Sequence, residues 1–242
     1  MTVRESYREL PSTQDRAVEL ARGGAAEGTR VVAARQTAGR GRLDHTWLSP
    51  EGGLYLSVVL RAPASPLLPL AIGEALLRLF RDRYGIDGAL KWPNDLFVVA
   101  PGRPGRKLGG ILVDRVASPT LGSAAVAGVG INVRVPTEAI PAPLAGRLAA
   151  LDEFGRPPPP VADLEEAVAA TAVEAGRALA TPAGVDAALG RCRRQLYGVG
   201  RRATVDGVAV GTIAGIGGDG ELLVDGPDGR VAIRAGDLRV ED

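Results

Sequence analysis

The sequence predicts an α+β protein: a larger part in which helices and strands are interspersed, then a small all-β tail. Helical periodicity is strong in a few long segments, above all "PLLPLAIGEALLRLFRDRYG" (66–85). Between them lie runs rich in β-branched and small residues, such as "LYLSVVLR" (54–61) and "SAAVAGVGINVRV" (123–135). From Arg201 onward only short β runs broken by Gly-Asp turns remain.

In chain order, "STQDRAVELARGG" (12–24) reads as a helix that Ser12 or Thr13 caps and Gly23 ends. "TRVVAARQ" (29–36) and the alternating "LYLSVVLR" read as strands, and the 66–85 segment as a core helix stopped at Gly85. "LKWPNDLFVVA" (90–100) reads as strand, turn, strand, and "PGRPGR" (101–106) as a turn. "KLGGILVDRV" (107–116) and 123–135 are strands whose small residues point to close approach by backbone or ligand. Residues 136–151 look irregular, and "RPPPP" (156–160) is a stiff spacer before helices at 161–180 and 183–197. The tail runs are "ATVDGVAVGTIAGI", "ELLVDG" and "RVAIRAGDLRV". Two domains are expected, 1–198 and 199–242, the second too small to be more than marginal alone.

Composition narrows the function. With 45% apolar residues in 242, the chain can bury a core. A net charge of +1, from 29 basic and 28 acidic residues, argues against a dedicated nucleic-acid binder. Cys192 is the sole cysteine, which excludes an intrachain disulfide. The start lacks a signal-peptide pattern and no apolar run approaches the ~20 residues of a membrane span, so a soluble, cytoplasmic protein is expected. Only two of the basic residues are lysines, Lys91 and Lys107; in so arginine-rich a chain a lysine can mark a site that needs a compact cation.

Two nucleotide motifs fail on context. "GIGGDG" (215–220) matches G-x-G-x-x-G but lies between β runs with no helix after it. "PGRPGRK" has Leu108 where a Walker loop needs Ser or Thr. Four other clusters remain, each with a plain alternative. In "QTAGRGRLDHTW" (36–47), Gly39 and Gly41 can turn backbone N–H groups toward an anion, Arg40 and Arg42 add charge, and Trp47 offers a flat face; the alternative is a solvated basic loop. In "KWPND" (91–95), Lys91 can meet a phosphate and Asp95 a Mg²⁺, or the segment is an Asx-turn over a packed Trp92. In "RKLGGIL" (106–112), Lys107 can aim at a carboxylate or phosphate above Gly109 and Gly110, or merely protect an edge strand. "STQD" (12–15) can receive a polar heterocycle or simply cap its helix.

Taken in this order and followed by "GVGINV" (128–133), the clusters closely resemble the bacterial biotin–protein ligases, biotin–[acetyl-CoA-carboxylase] ligases, from about residue 10 to the C-terminus. The resemblance implies a mixed sheet backed by helices with a small SH3-like barrel at the C-terminus. It implies activation of biotin by ATP and Mg²⁺ to biotinyl-5′-AMP, then transfer to a lysine of the biotin carboxyl carrier domain of acyl-CoA or pyruvate carboxylases. Biotin binding falls to Ser12, Thr13, Gln14, Gln36, Arg40, Gly41, Arg42, Lys107, Gly109 and Gly110; the ATP or adenylate side to Arg40, Arg42, Trp47, Lys91, Asn94, Asp95 and Asn132; Mg²⁺ to Asp95; and the central chemistry to Lys107 and Arg42. Asp44 and His45 replace the Gly-Arg usual in the family's loop, and a free histidine is mostly neutral at pH 7. The few residues before "STQD" leave no room for a helix-turn-helix, so the monofunctional type is expected: no DNA, no membrane, a monomer or homodimer. Rival readings are a lipoate–protein ligase, a nucleic-acid module built on the basic loop and tail, and a non-catalytic relative.

Overall fold

A computed structural model describes residues 2–43, 45–63, 65–99, 104–134, 140–144, 146–154 and 160–241. The elements are β1 (Arg4–Leu10), α1 (Thr13–Arg22), β2 (Arg30–Gln36), β3 (Leu54–Leu60), α2 (Leu68–Tyr84), β4 (Gly88–Lys91), β5 (Asp95–Val98), β6 (Arg106–Ser118), β7 (Gly122–Ile131), α3 (Val161–Ala178), α4 (Pro182–Gln195), β8 (Arg202–Val205), β9 (Val208–Ile216), β10 (Leu222–Gly226), β11 (Gly229–Ile233) and β12 (Leu238–Val240). β1 to β7 form one mixed sheet in the order β1-β2-β3-β7-β6-β5-β4. β1 runs parallel to β2 and the other pairs are antiparallel. The expected α+β architecture is therefore present.

The helices form as their sequences direct. Ser12 caps α1, its Oγ accepting from Asp15 N at 3.3 Å. Gly85 ends α2 in the left-handed conformation, φ 68°. α1 packs on one sheet face through Ala17, Val18 and Ala21 against Val31, Val59 and Val126. α3 covers the other face over Leu54, Leu56, Val58 and Leu60 of β3, and α2, packed on α3, covers it over β4, β5 and β6. All seven β3 positions are thus buried, and its alternation divides two covered faces rather than core from solvent.

β1 was not foreseeable as a strand. "RESYREL" is charged and largely exposed at the sheet edge. Ion pairs tie it down: Arg4 and Arg30 share the buried Glu165 of α3 at 2.8 and 2.9 Å. In the irregular stretch, residues 142–144 and 151–154 are single 3₁₀ turns. Residues 101–103 of "PGRPGR", 136–139 and 145 of that stretch, and 156–159 of "RPPPP" lie outside the described residues. No helix among the described residues is long and apolar enough to cross a membrane.

β8 to β12 make a five-stranded antiparallel sheet ordered β11-β10-β9-β8-β12. It shares one apolar core with the first sheet through Ile213, Ile216, Leu222 and Leu238, and hydrogen bonds to main-chain carbonyls fix its place. The buried Trp92 indole Nε1 donates to Gly220 O at 3.0 Å, and Arg193 Nε to Ile216 O at 2.7 Å. Both acceptors belong to "GIGGDG", which forms the β9–β10 hairpin closed by Gly217 N donating to Glu221 O at 2.9 Å. Gly220, at φ 88°, lies so close to Leu67 that a Cβ would sit 3.0 Å from its backbone. The motif is a docking turn, as its lack of a following helix requires.

Candidate ligand site

A cavity of about 270 Å³ opens where α1, the loop 37–47, β3, the β4–β5 turn, β6 and β7 converge. Its blind end is polar. Thr13 and Gln14, in the first turn of α1, are nearly inaccessible. Gln36 Oε1 accepts from Thr13 N at 2.8 Å and Thr13 Oγ1 at 3.0 Å, while Gln36 Nε2 donates to Ser49 Oγ at 2.8 Å. Ser57 Oγ donates to Gln14 Oε1 at 3.0 Å, and Gln14 Nε2 donates to Val126 O at 3.0 Å and Asp114 Oδ2 at 3.2 Å. Linked donors and acceptors of this kind hold their orientation and suit a planar ligand with both functions.

The loop 37–47 doubles back over the cavity. Gly41 N donates to His45 O at 2.7 Å and Trp47 N to Gly39 O at 2.9 Å. A Cβ on Gly39 would lie 2.4 Å from Trp47 O, so the turn needs glycine there. Arg40 latches the loop: its guanidinium donates to Asp15 of α1 at 2.7 Å and to Asp114 of β6 at 3.0 Å. Trp47 lies on the strand floor, where a Cβ on Gly130 would stand 2.6 Å from the indole and one on Gly110 3.1 Å from it. That is the close approach expected of these small-residue strands. The indole Nε1 is buried without a partner.

The other end is cationic. Lys107 Nζ pairs with Asp95 Oδ1 at 2.7 Å and sits 4.9 Å from the Trp47 ring centre. Lys91 Nζ lies 5.4 Å from the Phe97 ring centre and 3.9 Å from Asp237 Oδ1. Burial lowers the proton affinity of both Lys91 and Arg42, partly offset by Asp95 and Asp237. Half-desolvated cations at one end of a cavity favour an anionic ligand.

Of the residues singled out from sequence, Thr13, Gln14, Gln36, Arg40, Gly41, Arg42, Trp47, Lys91, Asn94, Asp95, Lys107, Gly110 and Asn132 line this cavity. Ser12 does not; its hydroxyl is spent on the helix cap. Gly109 faces the other way, toward Gly130 O and the Ile131 side chain. Two liners serve the scaffold with their amides: Asn94 Nδ2 donates to Ile111 O at 2.9 Å, and Asn132 Nδ2 to Lys107 O and Ala149 O, both at 3.1 Å. His45 lies exposed at the rim, and Asp44 is outside the described residues. Cys192 is buried, its thiol pushed up to about 12 by desolvation, and stands outside the cavity.

Sequence reasoning missed Ser57, Asp114 and Asp237. Ser57 carries no signal inside an apolar strand, and Asp237 arrives from the far end of the chain. Among the described residues no group of three or more His, Cys, Asp or Glu could hold a metal. The Asp95 carboxylate, paired here with Lys107, would suit Mg²⁺, which takes one or two carboxylates and draws its other oxygens from substrate phosphates and water.

A lidded cavity with a polar blind end and a cationic mouth, on a mixed sheet carrying a small β unit, defines the fold class of the cofactor–protein ligases. The chain belongs to the Biotin/lipoate A/B protein ligase family, which it matches over residues 7–132. It is 40% identical over 129 residues to the bifunctional ligase/repressor BirA of Bacillus subtilis, covering 51% of this chain and 38% of that one. To the biotin–[acetyl-CoA-carboxylase] ligase of Mycobacterium tuberculosis it is 36% identical over 137 residues, covering 52% and 48%. The chain thus spans less than half the length of these relatives. In structure it resembles the biotin protein ligase of Aquifex aeolicus in complex with biotin and ATP, with a TM-score of 0.83, 26% identity and 100% of both chains covered.

Proposed function

We propose that this chain is a biotin–protein ligase: it activates biotin with ATP to biotinyl-5′-AMP and passes the biotinyl group to a lysine of a biotin carboxyl carrier domain. The observation that carries this is Lys107, a cavity-lining cation whose ammonium pairs with Asp95 at the cationic end. A carboxylate is a poor acyl donor until it becomes an acyl-phosphate anhydride. Forming that anhydride brings a carboxylate and an α-phosphate together, and their repulsion must be offset by a cation between them. Lys107 would supply that cation, with Arg42 and Lys91, which line the same cavity, on the phosphate side. The ureido head would lie against Gln14, Gln36, Thr13 and Ser57, and Trp47 would wall the tail and the adenylate. Mg²⁺, held by Asp95 with the nucleotide phosphates, would neutralise the leaving pyrophosphate. No nucleophilic side chain is needed, because the ligand carboxylate attacks.

The Arg40 latch keeps loop 37–47 over the reacting groups and excludes water from a hydrolysable anhydride. A soluble, cytoplasmic enzyme in two domains, 1–198 and 199–242, completes the reading. The names of relatives support the acceptor class, since two are biotin–[acetyl-CoA-carboxylase] ligases. Biotin-dependent ATP–pyrophosphate exchange with purified protein tests the proposal. Exchange driven by lipoate and not by biotin would overturn it in favour of the sister activity.

A further inference from the structure

The cavity mouth contains a residue that the family-matching segment does not supply. Asp237 lies in the connection between β11 and β12 and lines the cavity with Gly236. Its place is fixed from behind. Asp237 N donates to Asp206 Oδ1 at 2.8 Å, and Asp206 N donates to Asp237 O at 3.1 Å. Gly236, at φ 133°, packs so tightly that a Cβ would stand 2.3 Å from Val205, so this connection has little room to rearrange. The Asp237 carboxylate then stands between two cations, 3.9 Å from Lys91 Nζ and 3.8 Å from Arg239 Nε.

We infer that Asp237 is an anionic placeholder for nucleotide phosphate: it neutralises Lys91 while the mouth is empty and gives that lysine up when ATP enters. The inference rests on the ligase reading above and names how the C-terminal sheet acts on that site. Two effects oppose each other. The carboxylate helps position Lys91, and it repels a polyphosphate. Repulsion wins, because Lys91 is also held over the Phe97 ring and its separation from Asp237 exceeds hydrogen-bond length. Asp237 is then a positioning residue that sets the threshold for nucleotide entry.

The test compares the full-length wild type with Asp237→Asn and Asp237→Glu, measuring ATP and biotin binding by calorimetry beside pyrophosphate exchange. The Asn variant, nearly the same shape but uncharged, is expected to bind ATP about threefold more tightly, the scale of one partly exposed ion pair. Its biotin affinity stays unchanged, and Glu restores wild-type ATP binding. Unchanged or weakened ATP binding in Asp237→Asn overturns the inference, as does the absence of ATP binding in all three proteins. A wild type that lacks exchange while its ATP affinity differs from the Asn variant as stated refutes the ligase reading and leaves the placeholder standing.

Discussion

Lys107 and Asp95, which both line the cavity, form a 2.7 Å ion pair across the adjacent strands β6 and β5. An entering anion must draw the ammonium away from that carboxylate, so the pair aims the lysine until a ligand takes it. Lys107→Ala is therefore expected to cut biotin-dependent pyrophosphate exchange by on the order of 10²–10³. His45→Ala, at the exposed rim, changes it little. Near-normal exchange in the lysine variant would remove Lys107 from the reaction.

Asp114 serves the latch and the blind end together, accepting from Arg40 and from Gln14. Asp114→Asn weakens both contacts. Hydrogen exchange across residues 37–47 should accelerate, and bound acyl-adenylate should be lost faster. Exchange as slow as in the wild type would show that the loop is held by other contacts.

Gly130 leaves room for Trp47 and for nothing larger. In Gly130→Ala the new methyl displaces the indole from its floor. Overpacking of this kind costs about 1–3 kcal/mol, or roughly 5- to 150-fold in ligand affinity if closure of the loop bears it. A calorimetric biotin titration measures this, and wild-type affinity would contradict it.

Trp92→Phe puts a smaller ring in the buried site and removes the indole N–H, leaving Gly220 O without its donor. Stranding a buried acceptor costs about 1–3 kcal/mol. The melting temperature should fall while the far-ultraviolet dichroism is preserved. An unchanged melting temperature would mean that the β9–β10 hairpin docks without this bond.

Glu165 of α3 gives a pH signature. Burial raises its proton affinity, but hydrogen bonds from Arg4 and Arg30 outweigh burial and hold the carboxyl below its ordinary range. A carboxyl depressed in the folded state stabilises above its unfolded pKa, and that stability is lost as pH falls through the folded value. Urea unfolding at neutral pH should therefore separate the wild type from Glu165→Gln, and the gap should narrow as pH drops below the carboxylate range. A gap independent of pH would assign the loss to packing alone.

Elements whose information is local were legible in the sequence. α1 announces itself with Ser12 and Gly23, and α2 with apolar periodicity and Gly85. The cavity residues were legible where they cluster, as in "QTAGRGRLDHTW" and "KWPND", because each loop or turn delivers its neighbours to one place. What escaped depends on pairs distant in the chain. β1 is a strand because it pairs with β2 some 26 positions on, and Glu165, far along the chain, holds its Arg4. Ser57 becomes polar lining only when α1 lands on β3, and Asp237 reaches Lys91 only through docking of the last sheet. Gly109 and Gly110 look alike in sequence, yet strand alternation turns one to the core and the other to the cavity.

Both lysines of the chain line the cavity, Lys91 and Lys107. Biotinyl-5′-AMP that escaped into solution would acylate exposed lysine amines at random. Every other long basic side chain here is arginine, whose guanidinium stays protonated and is a poor nucleophile. On the proposed reading, the chain offers a stray acyl-adenylate no lysine outside the cavity. Its side chains would then present few amines to compete with the acceptor lysine for the mark.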